Sequence, residues 1–336
     1  MCPRCKGSLD LSRTEDAYYC PSCEIYYRLQ GGIPDFRVYA DPYLGFNEEH
    51  KRTEIVLDGL HRFKFKELLE YYWGFSDITP VALRPKFIRS AMLGEERANG
   101  IINLFDKKFS RKQRQEKDKI VLEIGSGTGN FLAIAMQRYG QVIGTDIAMR
   151  WLHVSRRRFM DRELPIPPLV CCCAEYLPFA DESFDLVVAA STIEFVRDKE
   201  KMIAECARAL TRTGSVYLNT VNRYSIATNP YTYLWGVGYL PRSIQAKYVR
   251  WRQGASYEPV KLFSFRELRR ITKKYFESVE VLLPMVDSSA LTSFPWLMRM
   301  QAHIYGVLKT LPLIKTCLKW VGPSWDVILR NQKLSR

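Results

Sequence analysis

The most informative segment of this chain is Ile120-Val-Leu-Glu-Ile-Gly-Ser-Gly-Thr-Gly-Asn-Phe131. It begins like a short buried strand, continues with Gly125, Gly127 and Gly129, and leads into a segment with apolar residues at helical spacing. Glycine permits a positive φ and lets a ligand lie against the backbone, so this pattern predicts a ligand site. The spacing is G-x-G-x-G, whereas a dinucleotide-binding loop has G-x-G-x-x-G, which disfavours a pyrophosphate ligand.

Three further motifs follow in order. A strand predicted at Gln141–Asp146 ends in a carboxylate, which can accept hydrogen bonds from ribose hydroxyls. The other two are Ala174-Glu-Tyr-Leu-Pro-Phe179 and Ser183-Phe-Asp-Leu-Val-Val188. With Glu123 ahead of the glycines, this series resembles class I S-adenosylmethionine-dependent methyltransferases, in particular their ubiquinone/menaquinone methyltransferase-like branch. The resemblance covers roughly residues 120–222.

The resemblance implies both a fold and a cofactor. The fold is an α/β, Rossmann-like sheet with helices on both faces, with strands near 120–124, 141–145, 169–173, 184–190 and 214–221. The cofactor is S-adenosylmethionine, held at the carboxyl ends of the strands. The cofactor-binding residues that the resemblance implies are Glu123, Gly125, Gly127, Gly129, Asp146, Ile147, Ala174, Glu175 and Ser191.

Two positions depart from the family pattern. Relatives often carry an acid that meets the adenine amino group where this chain has Cys173, so adenine would have to contact backbone and apolar walls. Relatives often carry Glu-His after the fourth strand, where this chain has Glu194 and then Phe195. No general base can be named. The candidate catalytic residues are Glu194 as the best-placed acid, with Asn222 and Tyr224 as acceptor contacts.

Four cysteines near the N-terminus form two Cys-x-x-Cys pairs, which are Cys2 with Cys5 and Cys20 with Cys23. Two such pairs can complete a tetrahedral Zn–S₄ site, which is saturated and therefore structural. Residues 1–38 resemble the zinc ribbons that are fused to methyltransferases or partner with them. A redox dithiol is the alternative interpretation, although one Cys-x-x-Cys would suffice for it and no thioredoxin-like pattern surrounds these.

Composition limits the cellular setting and the partners. The chain has 336 residues and a net charge of +14, which favours polyanionic partners such as nucleic acid, an anionic membrane or phosphorylated substrates, or else a well-solvated surface. We expect no secretory signal and no spanning helix, because no apolar run is long enough. The clustering of the nine cysteines fits a reducing, cytoplasmic setting better than a disulfide framework.

We divide the chain into a zinc ribbon (1–38), a helical cap or linker (39–118), a methyltransferase domain (119–290) and a basic amphipathic helical tail (291–336). An aromatic lid insertion is expected at 223–260, where Tyr and Trp alternate with Arg and Lys. Such a lid could stack bases, enclose an apolar or sugar acceptor, or lie at a membrane interface. The tail is typical of an interfacial membrane helix, with a helical hairpin docked on the sheet as the alternative.

The sequence therefore predicts an S-adenosylmethionine-dependent methyltransferase that acts on a small-molecule or lipid-linked acceptor in a biosynthetic pathway. The alternative is an rRNA or tRNA methyltransferase that uses the zinc ribbon and the basic surface to bind RNA. Ala190-Ser-Thr-Ile193 stands where an Asn-Pro-Pro-Tyr motif would indicate methylation of an exocyclic base amine, which favours the first prediction.

Overall fold

The computed structural model describes residues 1–12, 16–76, 79–109, 116–284 and 296–333. Its N-terminal part is a small antiparallel sheet with four described strands, β1 (Asp10–Leu11), β2 (Ala17–Cys20), β3 (Ile25–Gln30) and β4 (Ile33–Pro34). β1 and β2 pair antiparallel in the segment that joins the first cysteine pair to the second. The second pair lies at the turn between β2 and β3.

A larger mixed sheet forms the centre of the chain. Its seven described strands are β5 (Ile120–Ile124), β6 (Gln141–Asp146), β7 (Leu169–Cys171), β8 (Phe184–Ala190), β9 (Leu210–Val221), β10 (Phe276–Leu282) and β11 (Ser324–Gln332). They lie in the order β10-β11-β9-β8-β5-β6-β7. β5 to β9 run parallel, and β11 runs antiparallel to both of its neighbours. The five predicted strands and the α/β fold class are confirmed.

Helices cover both faces of the central sheet. Those in the described residues are α1 (Phe46–Leu60), α2 (Phe65–Gly74), α3 (Arg84–Phe109), α4 (Asn130–Arg138), α5 (Met149–Asp161), α6 (Lys199–Ala209), α7 (Arg242–Gln253), α8 (Phe265–Tyr275), α9 (Trp296–Leu308) and α10 (Pro312–Val321). Val121 of β5 belongs to a buried cluster with Ile101 of α3 and Leu132 of α4. The next residue, Leu122, belongs to another cluster with Met202 of α6. Burial on both faces explains why the strand is continuously apolar.

The C-terminal segment differs from the predicted helical tail. Two helices, α9 and α10, do form, but β11 follows them and inserts between β9 and β10. Its side chains Trp325, Val327, Ile328 and Leu329 are fully buried. The sheet therefore does not end at residue 290 as we placed it, because the strand next to β9 comes from the end of the chain. Residues 291–295 and 334–336 of the predicted tail lie outside the described residues.

The four-stranded N-terminal sheet packs against the opposite edge of the central sheet. Asp35 bridges to Cys171 of β7 in a parallel pairing, and the Phe36 amide donates to the Cys171 carbonyl at 2.7 Å. Lys6 donates from Nζ to Glu205 on α6 at 2.6 Å. The chain after β4 therefore continues the central sheet past β7.

The cap and the lid lie beyond the carboxyl ends of the parallel strands. The cap helices α1, α2 and α3 pack with α5 in a buried cluster that includes Leu68, Trp73 and Val154. The lid contains α7, and its Val249 and Tyr257 belong to a buried cluster that also includes Leu83 of the cap and Val221 of β9. Among the described residues, no helix is both long enough and apolar enough to cross a membrane.

Candidate active site

The glycine loop joins β5 to α4. Gly125, Gly127 and Gly129 have φ values of 72°, 50° and 76°, a region that residues with a Cβ atom disfavour. A Cβ atom on Gly125 would lie 2.3 Å from Oγ1 of Thr192, so any side chain there would displace the loop after β8. A Cβ atom on Gly127 would meet nothing within 4 Å. The loop is thus packed on one side and open on the side where a ligand can lie.

A cavity of about 520 Å³ opens in front of the glycine loop. The loop itself, α2 and α3 of the cap, and the lid supply most of its wall, and α5 and the loop after β8 supply other residues. The aromatic residues of the wall are Tyr43, Tyr72, Trp73, Phe87, Phe131, Trp151, Phe195, Tyr231 and Tyr257. A concave, mostly apolar wall with a few polar groups is the usual form of a small-molecule site.

Glu123 lies on the cavity wall at the end of β5. Its side chain is buried, with the residue 5% exposed, and its Oε2 has no hydrogen-bond partner among the described residues. Burial, and then the negative charge of Asp146, raise the pKa of Glu123 well above its ordinary value. An unpartnered buried carboxylate is destabilising, so this position favours a ligand that brings a positive charge or a hydrogen-bond donor.

Asp146 holds the glycine loop to the end of β6. Its Oδ2 accepts from the Gly127 amide at 2.8 Å, and its Oδ1 accepts from the Ala148 amide at 2.8 Å. Burial is the main reason that the pKa of Asp146 is raised. Its side chain is not part of the cavity wall, so the contact with a ribose stays a prediction.

Comparison with known proteins now identifies the central segment. Residues 122–218 match the family model described as a methyltransferase domain. This segment is therefore a methyltransferase domain. The resemblance seen in the sequence is therefore confirmed for this segment.

Curated relatives of the methyltransferase domain include two proteins of quinone biosynthesis. A ubiquinone/menaquinone biosynthesis C-methyltransferase of Cupriavidus pinatubonensis is 38% identical over 99 residues, which is 29% of this chain and 40% of that protein. A ubiquinone biosynthesis O-methyltransferase of Coxiella burnetii is 28% identical over 124 residues, which is 37% of this chain and 52% of that protein. The chain thus spans about half or less of the length of these two relatives.

Among solved structures, an S-adenosylmethionine-dependent methyltransferase from Thermotoga maritima aligns over 74% of this chain and 95% of its own. Its identity to this chain is 20% and the TM-score is 0.44. A likeness at that score supports no conclusion by itself. The matches in sequence and the strand order described above carry the assignment of the methyltransferase domain.

Besides Gly129 and Asp146, four of the predicted cofactor residues do not line the methyltransferase domain's cavity. Glu175 accepts through Oε1 from the amides of Arg197 and Asp198 at 2.7 and 3.0 Å, so it fixes the start of α6. The remaining three are Ile147, whose carbonyl accepts from Arg37, the buried Ala174, and Ser191, whose hydroxyl accepts from Arg97. Their roles in cofactor binding stay predictions.

Glu194 is fully buried behind the cavity wall. Its Oε1 accepts from the Val221 amide at 2.8 Å, and its Oε2 has no hydrogen-bond partner among the described residues. Tyr231 of the lid stands on the wall in front of it, also with an unpartnered hydroxyl. Burial and then the Glu194 carboxylate raise the pKa of Tyr231 well above its ordinary value. The sequence indicated Glu194, whereas Tyr231 carries no motif and emerges only from the folded lid.

The predicted positions of Asn222 and Tyr224 need correction. The Asn222 side chain donates to the carbonyls of Trp320 and Gly322 at 2.8 and 2.9 Å, which ties the end of β9 to α10. Tyr224 is partly exposed, with its ring against Tyr239. Neither residue lines the cavity. The Asn222 side chain is held by the end of α10 and the residue that follows it, so it does not reach the cavity wall.

Two arginines of the cavity wall were not predicted, Arg97 on α3 and Arg150 on α5. Arg150 is buried and donates to Asp41 at 3.1 Å and to Glu49, which joins the linker and α1 to α5. Arg97 donates to Asn219 at 2.5 Å. These contacts join segments far apart in sequence, so no local pattern could have indicated them.

The sulfur atoms of Cys2, Cys5, Cys20 and Cys23 all lie within 4.8 Å of one another. The Cys2–Cys23 and Cys5–Cys20 sulfur distances are 3.9 and 3.5 Å. Tetrahedral coordination with Zn–S bonds of about 2.3 Å places sulfurs about 3.8 Å apart, so the donor set fits a zinc ion.

Proposed function

We propose that this chain is an S-adenosylmethionine-dependent methyltransferase that acts on a small-molecule or lipid-linked acceptor. The observation that carries the proposal is the cavity, because one wall is the glycine loop of the methyltransferase domain and the other is aromatic. A cofactor on the loop and an acceptor against the aromatic wall would share one enclosed space.

The residues present fit S-adenosylmethionine. This cofactor carries a sulfonium and an ammonium group, and Oε2 of the buried Glu123 on the wall lacks a hydrogen-bond partner among the described residues. Gly127 presents open backbone to the same space. When bound, the cofactor supplies an electrophilic methyl group. The chain's own contribution is to orient the acceptor for in-line attack and to exclude water, which the aromatic wall favours.

The wall also indicates the kind of acceptor. Trp73 and Phe87 of the cap line the methyltransferase domain's cavity together with Phe195 and Tyr257. Such a wall suits an acceptor with an apolar or planar body. Glu194 and the hydroxyl of Tyr231 form the polar pair that could receive a proton from the acceptor, if the acceptor requires it. The named roles of the quinone-biosynthesis relatives are consistent with a biosynthetic acceptor.

RNA is the second candidate acceptor, as the basic composition and the zinc ribbon suggested. Two of the lid's basic residues have carboxylate partners, since Arg242 pairs with Glu267 at 2.9 Å and Arg250 pairs with Glu258. Those pairs reduce the positive charge that the lid offers to phosphates. A small or lipid-linked acceptor is therefore the better supported proposal.

We also propose that Cys2, Cys5, Cys20 and Cys23 bind one structural zinc ion. Their sulfur separations support it, and a saturated S₄ set leaves no position for a substrate. Tyr27 lies 3.3 Å from the Cys2 sulfur through its hydroxyl, so one ligand has a second contact that orients it.

Calorimetric titration with S-adenosylhomocysteine tests the cofactor. Asp146→Ala should weaken binding by about 1–3 kcal/mol if the carboxylate accepts from the ribose hydroxyls. Glu277→Gln, an exposed acid on β10, is the control and should leave binding unchanged. Wild-type protein that binds neither S-adenosylmethionine nor its product would remove the proposal.

A labelled-methyl transfer assay tests the acceptor. Wild-type protein is incubated with cell extract, and the extract is then separated into RNA, lipid and small-molecule fractions. We expect label in the lipid or small-molecule fraction. Label at a single nucleotide of purified rRNA or tRNA would instead establish the RNA alternative.

A further inference from the structure

Helices α9 and α10 expose large apolar side chains. Met300, Ile304 and Val307 are separated by four and three residues, so they share one face of α9. On α10, Leu313 is 85% exposed and Trp320, seven residues later, lies on the same side. Contiguous exposed apolar residues of this size mark a surface that contacts something other than water.

The lid adds to the same surface. The Ile226 amide donates to the Val321 carbonyl at 3.0 Å, which places this part of the lid directly beside Trp320. The Trp235 indole donates to the Ile226 carbonyl at 3.0 Å, and its ring stacks on Tyr239. Ile226, Trp235 and Tyr239 are all exposed. We call the exposed apolar residues of α9, α10 and residues 224–239 the apolar face.

The charged residues within α9, α10 and the turn between them have one sign. Residues 296–321 contain no Asp or Glu and carry Arg299, Lys309, Lys315 and Lys319. Basic residues beside exposed Trp and aliphatic side chains are the combination by which helices lie in the headgroup region of anionic membranes. A second copy would place cations opposite cations, and a nucleic acid would leave Leu313 and Val307 without an apolar partner.

We propose that the apolar face docks onto an anionic phospholipid bilayer, lying in its interface without crossing it. This proposal concerns α9, α10 and the lid together, and it does not depend on which reaction the methyltransferase domain catalyses.

Docking would bring the lid of the cavity to the bilayer. Tyr231 stands on the cavity wall, and Trp235, four residues later, is part of the apolar face. The turn between them is closed by the Asn229 amide, which donates to the Leu234 carbonyl at 3.0 Å. If the proposed function holds, an acceptor dissolved in the bilayer would enter the cavity past this turn.

Vesicle flotation with the full chain tests the docking. The vesicles are phosphatidylcholine alone, and phosphatidylcholine mixed with phosphatidylglycerol at roughly three to one. We expect wild-type protein to float with the mixed vesicles and much less with the neutral ones. Replacing both Lys315 and Lys319 by Ala should lower the affinity for the mixed vesicles by roughly 10- to 30-fold.

The apolar contribution is tested with matched variants. Ile304→Glu combined with Leu313→Glu should lower vesicle binding at least tenfold, because both residues would otherwise enter the interface. The matched control is Val81→Glu, which is 71% exposed on the cap. For the lid, Trp235→Ser should reduce binding, whereas Tyr26→Ser, on the N-terminal sheet and similarly exposed, should not.

Binding of S-adenosylhomocysteine is measured on every variant, so a failure of docking is distinguished from a failure of the methyltransferase proposal. Docking is overturned if wild-type protein binds neither vesicle, or if the Ile304 and Leu313 double variant binds like wild type. Two other results would also overturn docking, provided that vesicles do not bind. One is a dimer, seen by sedimentation, that the double variant disrupts. The other is an RNA complex, seen by filter binding, that the double variant disrupts.

Discussion

The N-terminal four-stranded sheet and the C-terminal segment attach to opposite edges of the central sheet, and they do so differently. The N-terminal sheet reaches the edge at β7, where Cys2, Tyr27 and Phe36 join the same buried cluster as the central strands. The C-terminal segment buries β11 inside the sheet but leaves α9 and α10 with their apolar side chains in solvent. The first attachment buries its apolar side chains within the chain, whereas the second leaves some of them exposed.

Loss of the metal should have the largest effect, since a sheet this small has little core of its own. Cys20→Ser combined with Cys23→Ser should abolish zinc binding and unfold the N-terminal sheet. The following segment carries Asp41, which pairs with Arg150 on the cavity wall, so affinity for S-adenosylhomocysteine should also fall. Elemental analysis and calorimetry measure the two effects.

The control is Cys317→Ser, an exposed cysteine on α10, which should retain zinc and ligand binding. Zinc retained by the double variant would show that another donor set holds the metal. If affinity for S-adenosylhomocysteine is unchanged after zinc loss, then the folding of the N-terminal sheet does not affect the cavity.

The second-largest effect is expected in β11, the buried strand of the C-terminal segment. Ile328 lies fully buried in β11, so Ile328→Ala removes packed methyl groups and leaves a cavity. We expect the free energy of unfolding to fall by about 2–5 kcal/mol. Urea denaturation measures it, and a change below about 1 kcal/mol would contradict the central position of β11.

The third-largest effect is a pH dependence of stability, which is expected where the N-terminal sheet contacts α5. His153 is buried, a Cβ on Gly31 would lie 2.6 Å from its ring, and neither ring nitrogen has a hydrogen-bond partner among the described residues. Burial lowers the pKa of His153 from 6.5 to about 4. Below pH 6.5, His153 therefore binds a proton in the unfolded chain but not in the folded chain. The free energy of unfolding decreases as pH falls from about 6.5 towards 4.

The loss should not exceed about 1.4 kcal/mol per pH unit for this one group. Chemical denaturation across that pH range should give a shallower dependence for His153→Gln than for wild type. His61→Gln, at an exposed position, is the control. Equal slopes for wild type and His153→Gln would show that other groups dominate.

The smallest effect is expected at the exposed apolar face. Leu313→Ser should change the free energy of unfolding by no more than about 0.5 kcal/mol, because the side chain is in solvent in both states. A loss above 1.5 kcal/mol would mean that α10 packs against more of the chain than its exposure shows, and would weaken the comparison.

Local patterns predicted much of the fold and part of the candidate site. The strand before Gly125, the glycine loop and the four cysteines were all predicted, because each depends on requirements within a few residues. A positive φ needs glycine, and two Cys-x-x-Cys turns supply four sulfurs. Asp146 was found at the end of its strand for the same reason, although its observed partners are backbone amides.

Pairings between distant segments could not be predicted in this way. Asn219 and Tyr217 of β9 both donate to Asp326 of β11 at 2.7 Å, although more than a hundred residues separate them in sequence. These hydrogen bonds join the two neighbouring strands. The sequence pattern near Asp326 does not show whether this segment forms a strand beside β9 or an exposed C-terminal segment. The misplacement of Asn222 has the same origin, since α10 covers it.

A methyltransferase domain after a four-cysteine module could be predicted from the residues alone, because glycine conformation and ligand spacing are properties of short segments. The side chains that enclose the cavity, the position of Tyr231 near Glu194 and the contact of the lid with α10 became known from the folded structure. Those arrangements depend on how much apolar surface each distant segment can bury against the others, and burial is a property of the whole folded chain.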